Sequence, residues 1–305
     1  MNARQRGVAI VLAMGVMALA AITATAIAVS QSTWSRRNEL STEHVQAQAM
    51  VGAGVDWARA VLSDDRRTSS VDHLGEPWAL RLPPIPIDNG ELTGHIEDEQ
   101  GRFNLNNVVS SGKVNIKQLE HFQRLLSILG LPANLADALA DWVDADSAPQ
   151  PQDGAEDGYY LALDPPYLAA NRPLVDVDEL ALVRGFDASV RARLRPFVTA
   201  LPRFTPVNVN TAPPEVIAAI VKDMDIDVAR GFAAERDRAY FRSPAEFYNR
   251  LPTGASSVSM DDVALKSDYF IARLRVKIGD AQARGTALLA RPDFGWPAIV
   301  WRKYS

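Results

Sequence analysis

Cysteine is absent from the 305 residues, so the fold uses neither a disulfide nor a thiolate metal site. The absence is neutral about compartment, because an oxidising space permits disulfides without requiring them. Histidine occurs four times (His44, His73, His95, His121), at spacings that fit no metal-ligand motif. Basic residues number 32 against 37 acidic ones, a net charge of −5. No basic surplus exists to neutralise a phosphate backbone, which argues against a dedicated nucleic-acid binder. Nucleophile elbows, phosphate loops and dinucleotide fingerprints are missing too, which leaves catalysis with little support. Three local absences say more. Residues 8–29 carry no charge, Gln31 to Leu62 contains no proline, and Leu125 to Asn171 contains no lysine or arginine.

The uncharged run forms a helix of roughly 30 Å, enough to span a bilayer core. Arg4 and Arg6 precede it, and Arg36 and Arg37 follow. With two arginines on each flank, the positive-inside rule gives no orientation. A cleavable secretory signal is the competing reading, with small-residue triplets such as Ala24-Thr25-Ala26 and a cut near Ala28. Beyond the run, Val51, Val55, Ala58 and Leu62 recur at the helical period. The helix therefore continues, and residues 8–62 are expected as one rod of roughly 80 Å. Gly52 and Gly54 weaken it locally and permit a bend.

After Asp64-Asp65, Pro77, Pro83, Pro84 and Pro86 exclude further helix. Trp78 to Leu82 is expected as a short strand, and Gly90 to Leu105 as a hairpin turning at Glu99-Gln100-Gly101-Arg102. Residues 106–268 are helical in pattern, at Gln118 to Leu129, Leu135 to Val143, Glu215 to Val221 and Val228 to Phe241. Ser243-Pro244-Ala245-Glu246 is a helix-start signal. From Tyr269 the period drops to two, and three strands follow: Tyr269 to Ile278, Arg284 to Leu289 and Ala298 to Lys303. Strands on both sides of a helical block predict an α+β fold: one sheet domain, 63–105 with 269–305, interrupted by an all-α insertion over 106–268.

A repeat lies within the block. Phe103-Asn104-Leu105-Asn106 and Val207-Asn208-Val209-Asn210 each precede a helix pair, and Arg172-Pro173 with Asp178-Glu179-Leu180 echoes Arg242-Ser243-Pro244 with Glu246-Phe247. The second unit resembles helix-hairpin-helix domains, many of which bind DNA. Such domains hold phosphate on glycine-rich hairpins. Here Leu129-Gly130-Leu131 and Arg184-Gly185-Phe186 have one glycine each, and Met224-Asp225-Ile226 has none. A packing scaffold is the preferred reading, and an exported DNA-uptake protein the alternative.

The stretch without basic residues holds eight carboxylates: Asp137, Asp141, Asp144, Asp146, Asp153, Glu156, Asp157 and Asp164. Converging carboxylates repel, and a hard cation relieves the repulsion. Calcium suits an oxygen-rich flexible loop better than magnesium or zinc. The spacing is not that of an EF-hand, and a solvated acidic loop remains the other reading.

The junction Arg4-Gln5-Arg6-Gly7 followed by Val8-Ala9-Ile10-Val11-Leu12 resembles the prepilin-peptidase site of type IV pilins and pseudopilins. The resemblance places cleavage after Gly7 and makes Val8 the first mature residue, residues 1–7 being a leader. Leu12, the fifth mature position, stands where most members carry glutamate. With Asp141-Trp142-Val143-Asp144-Ala145-Asp146, Gly154-Ala155-Glu156-Asp157, Asp164-Pro165-Pro166-Tyr167, Ala170-Asn171-Arg172-Pro173 and Val207-Asn208-Val209-Asn210-Thr211-Ala212, the chain resembles the K-type minor pseudopilins of type II secretion. That resemblance implies a pseudopilin fold, with a long N-terminal helix packed on an antiparallel sheet and a large α-domain inserted between strands. It implies single-pass anchoring in the bacterial inner membrane with the globular part in the periplasm. It implies partnership with I- and J-type minor pseudopilins at the tip of the major pseudopilin fibre. It also implies calcium in the α-domain, held by Asp144, Asp146, Glu156 and Asp157, with Asp153 a further candidate. An exported carboxylate enzyme is the third class, and it requires the cut near Ala28.

Overall fold

The computed structural model describes residues 3–81, 83–151, 153–255 and 258–305, with side chains from Ile10 onward. The side chains of the processing pair Gly7 and Val8 lie outside that description. Helix α1 runs unbroken from Ala3 to Thr68, about 100 Å at 1.5 Å per residue. Gly52 and Gly54 do not interrupt it, and it continues past Leu62. Residues 10–42 are all exposed, although Arg36 reaches Asp280. Beyond them Ala47, Val51, Val55, Ala58 and Leu62 form one buried stripe. The same helix therefore has a bare apolar half and an amphipathic half that packs.

The expected strand at Trp78 is instead a 3₁₀ turn over Pro77–Ala79, and Leu82 lies outside the described residues. Trp78 is buried edge-on against Phe270, and its indole donates to Glu76 Oε2 at 2.8 Å. Two strands follow, β1 (Ile85–Ile87) and β2 (Gly90–Asp98). The expected hairpin to Leu105 does not form. The chain leaves the sheet after Asp98, and β3 (Phe103–Asn104) belongs to the helical block.

That block contains β4 (Val109–Ser110), β5 (Lys113–Val114), α2 (Ile116–Ile128), α3 (Leu135–Val143), α4 (Asp157–Tyr160), α5 (Ala188–Leu194) and β6 (Val198–Thr199). A second unit adds β7 (Val207–Asn208), α6 (Pro214–Ile220), α7 (Ile226–Arg238), α8 (Pro244–Asn249) and β8 (Val263–Ala264). Strand β3 pairs in parallel with β6, and β7 in parallel with β8. The chain then returns through β9 (Tyr269–Ile278), β10 (Ala281–Ala290) and β11 (Ala298–Tyr304), giving an antiparallel sheet of order β1-β2-β9-β10-β11.

Alternation along the strands decides what each sheet face meets. Phe270, Ala272, Leu274, Val276 and Ile278 of β9, with Ala283, Ala287 and Leu289 of β10, bury against the α1 stripe. Gly285 lies in that row because a Cβ there would overlap Val51 Cγ1, so glycine permits the close approach of helix to sheet. Alternation puts Leu288 on the other face, where it packs with Leu201 and Tyr269.

The repeated asparagines prove to be internal clamps. Asn106 Nδ2 donates to Leu174 O while its Oδ1 accepts from Leu174 N. Asn210 does the same to Phe241, donating to its O and accepting from its N. Each clamp precedes a capped turn, at Asp176 in one unit and Ser243 in the other. The sequence repeat is thus a repeat of hydrogen-bond geometry. Buried amides satisfied on both sides specify one arrangement of the two units.

Candidate metal centre

The acidic loop begins where α3 ends. Asp137 and Asp141 sit four apart on α3, and Asp144 is its C-cap. Asp141, fully buried, accepts from the amide of Gln150 at 3.1 Å and from that of Ala155. It thereby folds residues 144–155 back onto the helix end. A Cβ on Gly154 would overlap Asp141 Oδ2 and the nitrogen of Gln150, so the return of the loop needs glycine there.

This fold brings Asp144, Asp146 and Glu156 together, each with a carboxylate oxygen within 4.8 Å of the others. Asp144 and Glu156 are buried and Asp146 is exposed. Neither oxygen of Asp144, and neither of Glu156, has a well-aligned hydrogen-bond partner. Burial, followed by repulsion from Asp146 and Asp141, pushes the Asp144 carboxyl up to about 6. Burial, followed by Asp141, Asp144, Asp146 and Asp157, pushes Glu156 up to about 7. Four orphaned carboxylate oxygens in one buried corner are costly unless a cation meets them. The separation fits calcium, whose ligand oxygens at 2.3–2.6 Å lie up to about 5 Å apart across the ion.

The other candidates stand differently. Asp153 is turned away: it pairs with Arg184 at 2.9 Å and accepts from Asn134 Nδ2 at 2.6 Å, so the structure does not bring it into the cluster. Asp157 accepts from the amide of Ala169 at 3.0 Å and adds its charge at the edge of the site. Asp141, which the sequence offered only as one carboxylate among eight, is the residue that shapes the loop. Its signal was the glycine at 154 rather than its own spacing.

A second acidic group, Asp65, Asp72 and Glu76, is fully buried and went unnoticed in the sequence. Its cation is internal. Arg291 reaches Asp65 at 2.6 Å and Asp72 at 2.5 Å, and lies over the Phe270 ring. Ser267 N donates to Asp72 Oδ2, while Ser267 Oγ, Thr211 Oγ1 and Asn208 Nδ2 all donate to Asp98 Oδ2. This network ties the end of α1, both chain crossings into the helical block, and the block itself into one joint. At the hairpin of the first unit, Arg193 donates to the carbonyls of Leu129 and Gly130, so an arginine of this chain is spent on holding the turn.

Comparison with known proteins agrees across the length of the chain. Residues 101–203 and 207–266 match two family profiles, both described as type II secretion system (T2SS), protein K. Type II secretion system protein K of Pseudomonas aeruginosa is 38% identical, covering 99% of this chain and 93% of that protein. Its Klebsiella pneumoniae counterpart is 32% identical, covering 100% of this chain and 98% of that one. Among solved structures, a chain of the GspK-GspI-GspJ complex from the enterotoxigenic Escherichia coli type 2 secretion system superimposes with a TM-score of 0.77 at 25% identity. It covers 88% of this chain and 99% of that one. With the bare N-terminal helix, the antiparallel sheet and the inserted helical block in place, the chain belongs to the type II secretion system protein K family.

Proposed function

We propose that this chain is a minor pseudopilin that caps the pseudopilus tip with I- and J-type minor pseudopilins, supporting export of folded proteins across the outer membrane. Its role is structural rather than catalytic. The observation that carries the reading is the full-length likeness to protein K relatives, joined to a helix whose apolar half is bare while its other half holds the sheet. Residues 8–29 anchor the chain in the bacterial inner membrane, and the globular part stands in the periplasm. Prepilin peptidase removes residues 1–7. The major pseudopilin fibre stands below the tip complex.

Leu12 supports the tip position. In pilin-like fibres the fifth-position carboxylate of an entering subunit neutralises the terminal amine of the subunit above it. An unpaired charge in apolar surroundings is expensive. A subunit with leucine there makes no such pair and needs none if nothing stands above it. N-terminal sequencing of the mature protein tests the reading: a start at Val8 is expected, and a start near Val29 would overturn it.

We also propose that Asp144, Asp146 and Glu156 hold calcium, with Asp157 contributing from the edge. The ion would offset the repulsion of buried carboxylates and pin the 144–156 loop to the end of α3. Calorimetric titration of the metal-free protein with calcium tests this, and an absence of binding would remove the claim.

A further inference from the structure

On the sheet face opposite α1, basic side chains cluster between two carboxylates, Glu91, which lies beside Lys277, and Glu97. In the register of β2, β9 and β10, Thr93 lies beside Arg275 and Arg275 beside Arg284. The next row is His95, Arg273 and Thr286. Arg81 joins them around an open groove of about 400 Å³ with no carboxylate in its lining. Glu97, further along the same face of β2, is already engaged by Arg102 at 2.7 Å, by His95 at 2.9 Å and by Arg273 at 3.5 Å. Arg275 and Arg284 are exposed and directly opposite one another. Like charges in that relation destabilise a sheet, and an anion bridging the two strands would relieve them.

The position of this face along α1 separates the possible anions. Glu43 accepts from the amide of Asp280 at the β9–β10 turn, and Arg66 meets Asp268 just before β9, so the strands run alongside the helix. Gly285, next to Arg284, abuts Val51, which puts the arginine pair level with that residue. From Val29, where the uncharged run ends, to Val51 is about 33 Å of straight helix. That distance is several Debye lengths at physiological salt, about 8 Å each, so lipid headgroups beside the anchor stay out of reach. A protein surface does not.

We propose that the face around Arg275 and Arg284 is a docking surface for a protein partner that presents clustered aspartate and glutamate side chains. The inference rests on the membrane-anchored orientation given under the proposed function.

The test uses the full-length protein in nanodiscs of neutral phosphatidylcholine, titrated with poly-L-glutamate and, separately, with vesicles containing phosphatidylglycerol. Wild type is compared with Arg275→Lys/Arg284→Lys and Arg275→Thr/Arg284→Thr. Threonine suits a strand and removes the repulsion, so a thermal midpoint at or above that of wild type shows an intact fold. Wild type and the lysine pair are expected to bind polyglutamate alike, more weakly as salt rises. The threonine pair is expected to bind about tenfold more weakly, the worth of two exposed ion pairs near the top of their range. Equal binding by the threonine pair, or no binding by wild type, would overturn the proposal. Vesicle binding lost in the threonine pair with polyglutamate binding unchanged would also overturn it, in favour of a lipid. Assembly with I- and J-type subunits is measured separately, so its failure counts against the function proposed above and not against this surface.

Discussion

Asp144 and Glu156 end up in the same buried corner although twelve positions separate them, and what joins them is a third carboxylate. Asp141 spends its oxygens on the amides of Gln150 and Ala155, and neither Asp144 nor Glu156 has a well-aligned partner. Replacing either by its amide, Asp144→Asn or Glu156→Gln, is expected to weaken calcium binding at least about tenfold by calorimetry, the loss of one charged ligand. The metal-free protein is expected to lose no stability, because a repelling charge has gone. The pH dependence follows from the same groups. Their folded values of about 6 and about 7 lie above the ordinary carboxylate range near 4. Between about pH 4 and pH 7 the folded state therefore holds more protons than the unfolded state. Without calcium, the contribution of these groups is fully present below about pH 4 and is lost as pH rises through about 7. Saturating calcium, which binds the ionised form, is expected to reverse the slope. Thermal melts across this range, with and without calcium, check both signs. Gly154→Ala is expected to cost about 1–3 kcal/mol through overpacking and to abolish the calcium-dependent rise in melting temperature; an alanine variant that keeps that rise would show the loop does not need the glycine.

The elements differ in how openly the sequence declared them. Strand β9 and helices α2 and α7 follow the periods of their apolar residues, because each turns one face to a continuous core. Helix α3, by contrast, is buried all round, and β11 is only half-buried. Trp78 misled: alternation around it suggested a strand, yet Pro77 starts a 3₁₀ turn that drives the indole against Phe270. The expected 90–105 hairpin failed for a different reason. Asp98 is held by Asn208, Thr211 and Ser267, so tertiary bonds pull the chain out of the sheet where turn chemistry alone would have folded it back. The asparagine repeat was visible as wording but not as clamps, since the partners Leu174 and Phe241 lie 68 and 31 residues away. The acidic loop was legible as composition. Which carboxylates converge, which pair with arginine and which shape the loop depended on the turn of the chain at Gly154. At this scale Gly285 is the most exposed to test. Gly285→Ala sets a methyl group into Val51, and an unfolding midpoint in urea followed by tryptophan fluorescence is expected to report a loss of about 1–3 kcal/mol. An unchanged midpoint would mean that α1 and the sheet are not in tight contact there.

At the scale of the whole molecule, the joint at Arg291 decides whether the helical block and the stalk act as one body. Arg291 is buried between Asp65 on α1 and Asp72 beyond it, and the same network reaches Asn208 of the block through Asp72 O, Asp98 and Ser267. Arg291→Met is expected to cost about 3–5 kcal/mol, since it strands buried carboxylates without their cation. Limited proteolysis is expected to cut first near residues 99–101 and 266–268, where the chain crosses; cleavage confined to other sites would show that the joint does not hold the two parts together. A rigid union of this kind suits a subunit that ends a fibre, because the inserted block then sits fixed at the far end of a 66-residue helix. The most direct measurement is native mass spectrometry of the full-length chain assembled in detergent with I- and J-type minor pseudopilins. One copy of each subunit in a single complex is expected, with no larger species holding a second copy of this chain. An I–J pair that leaves this chain out, or complexes carrying several copies of it, would contradict the tip assignment.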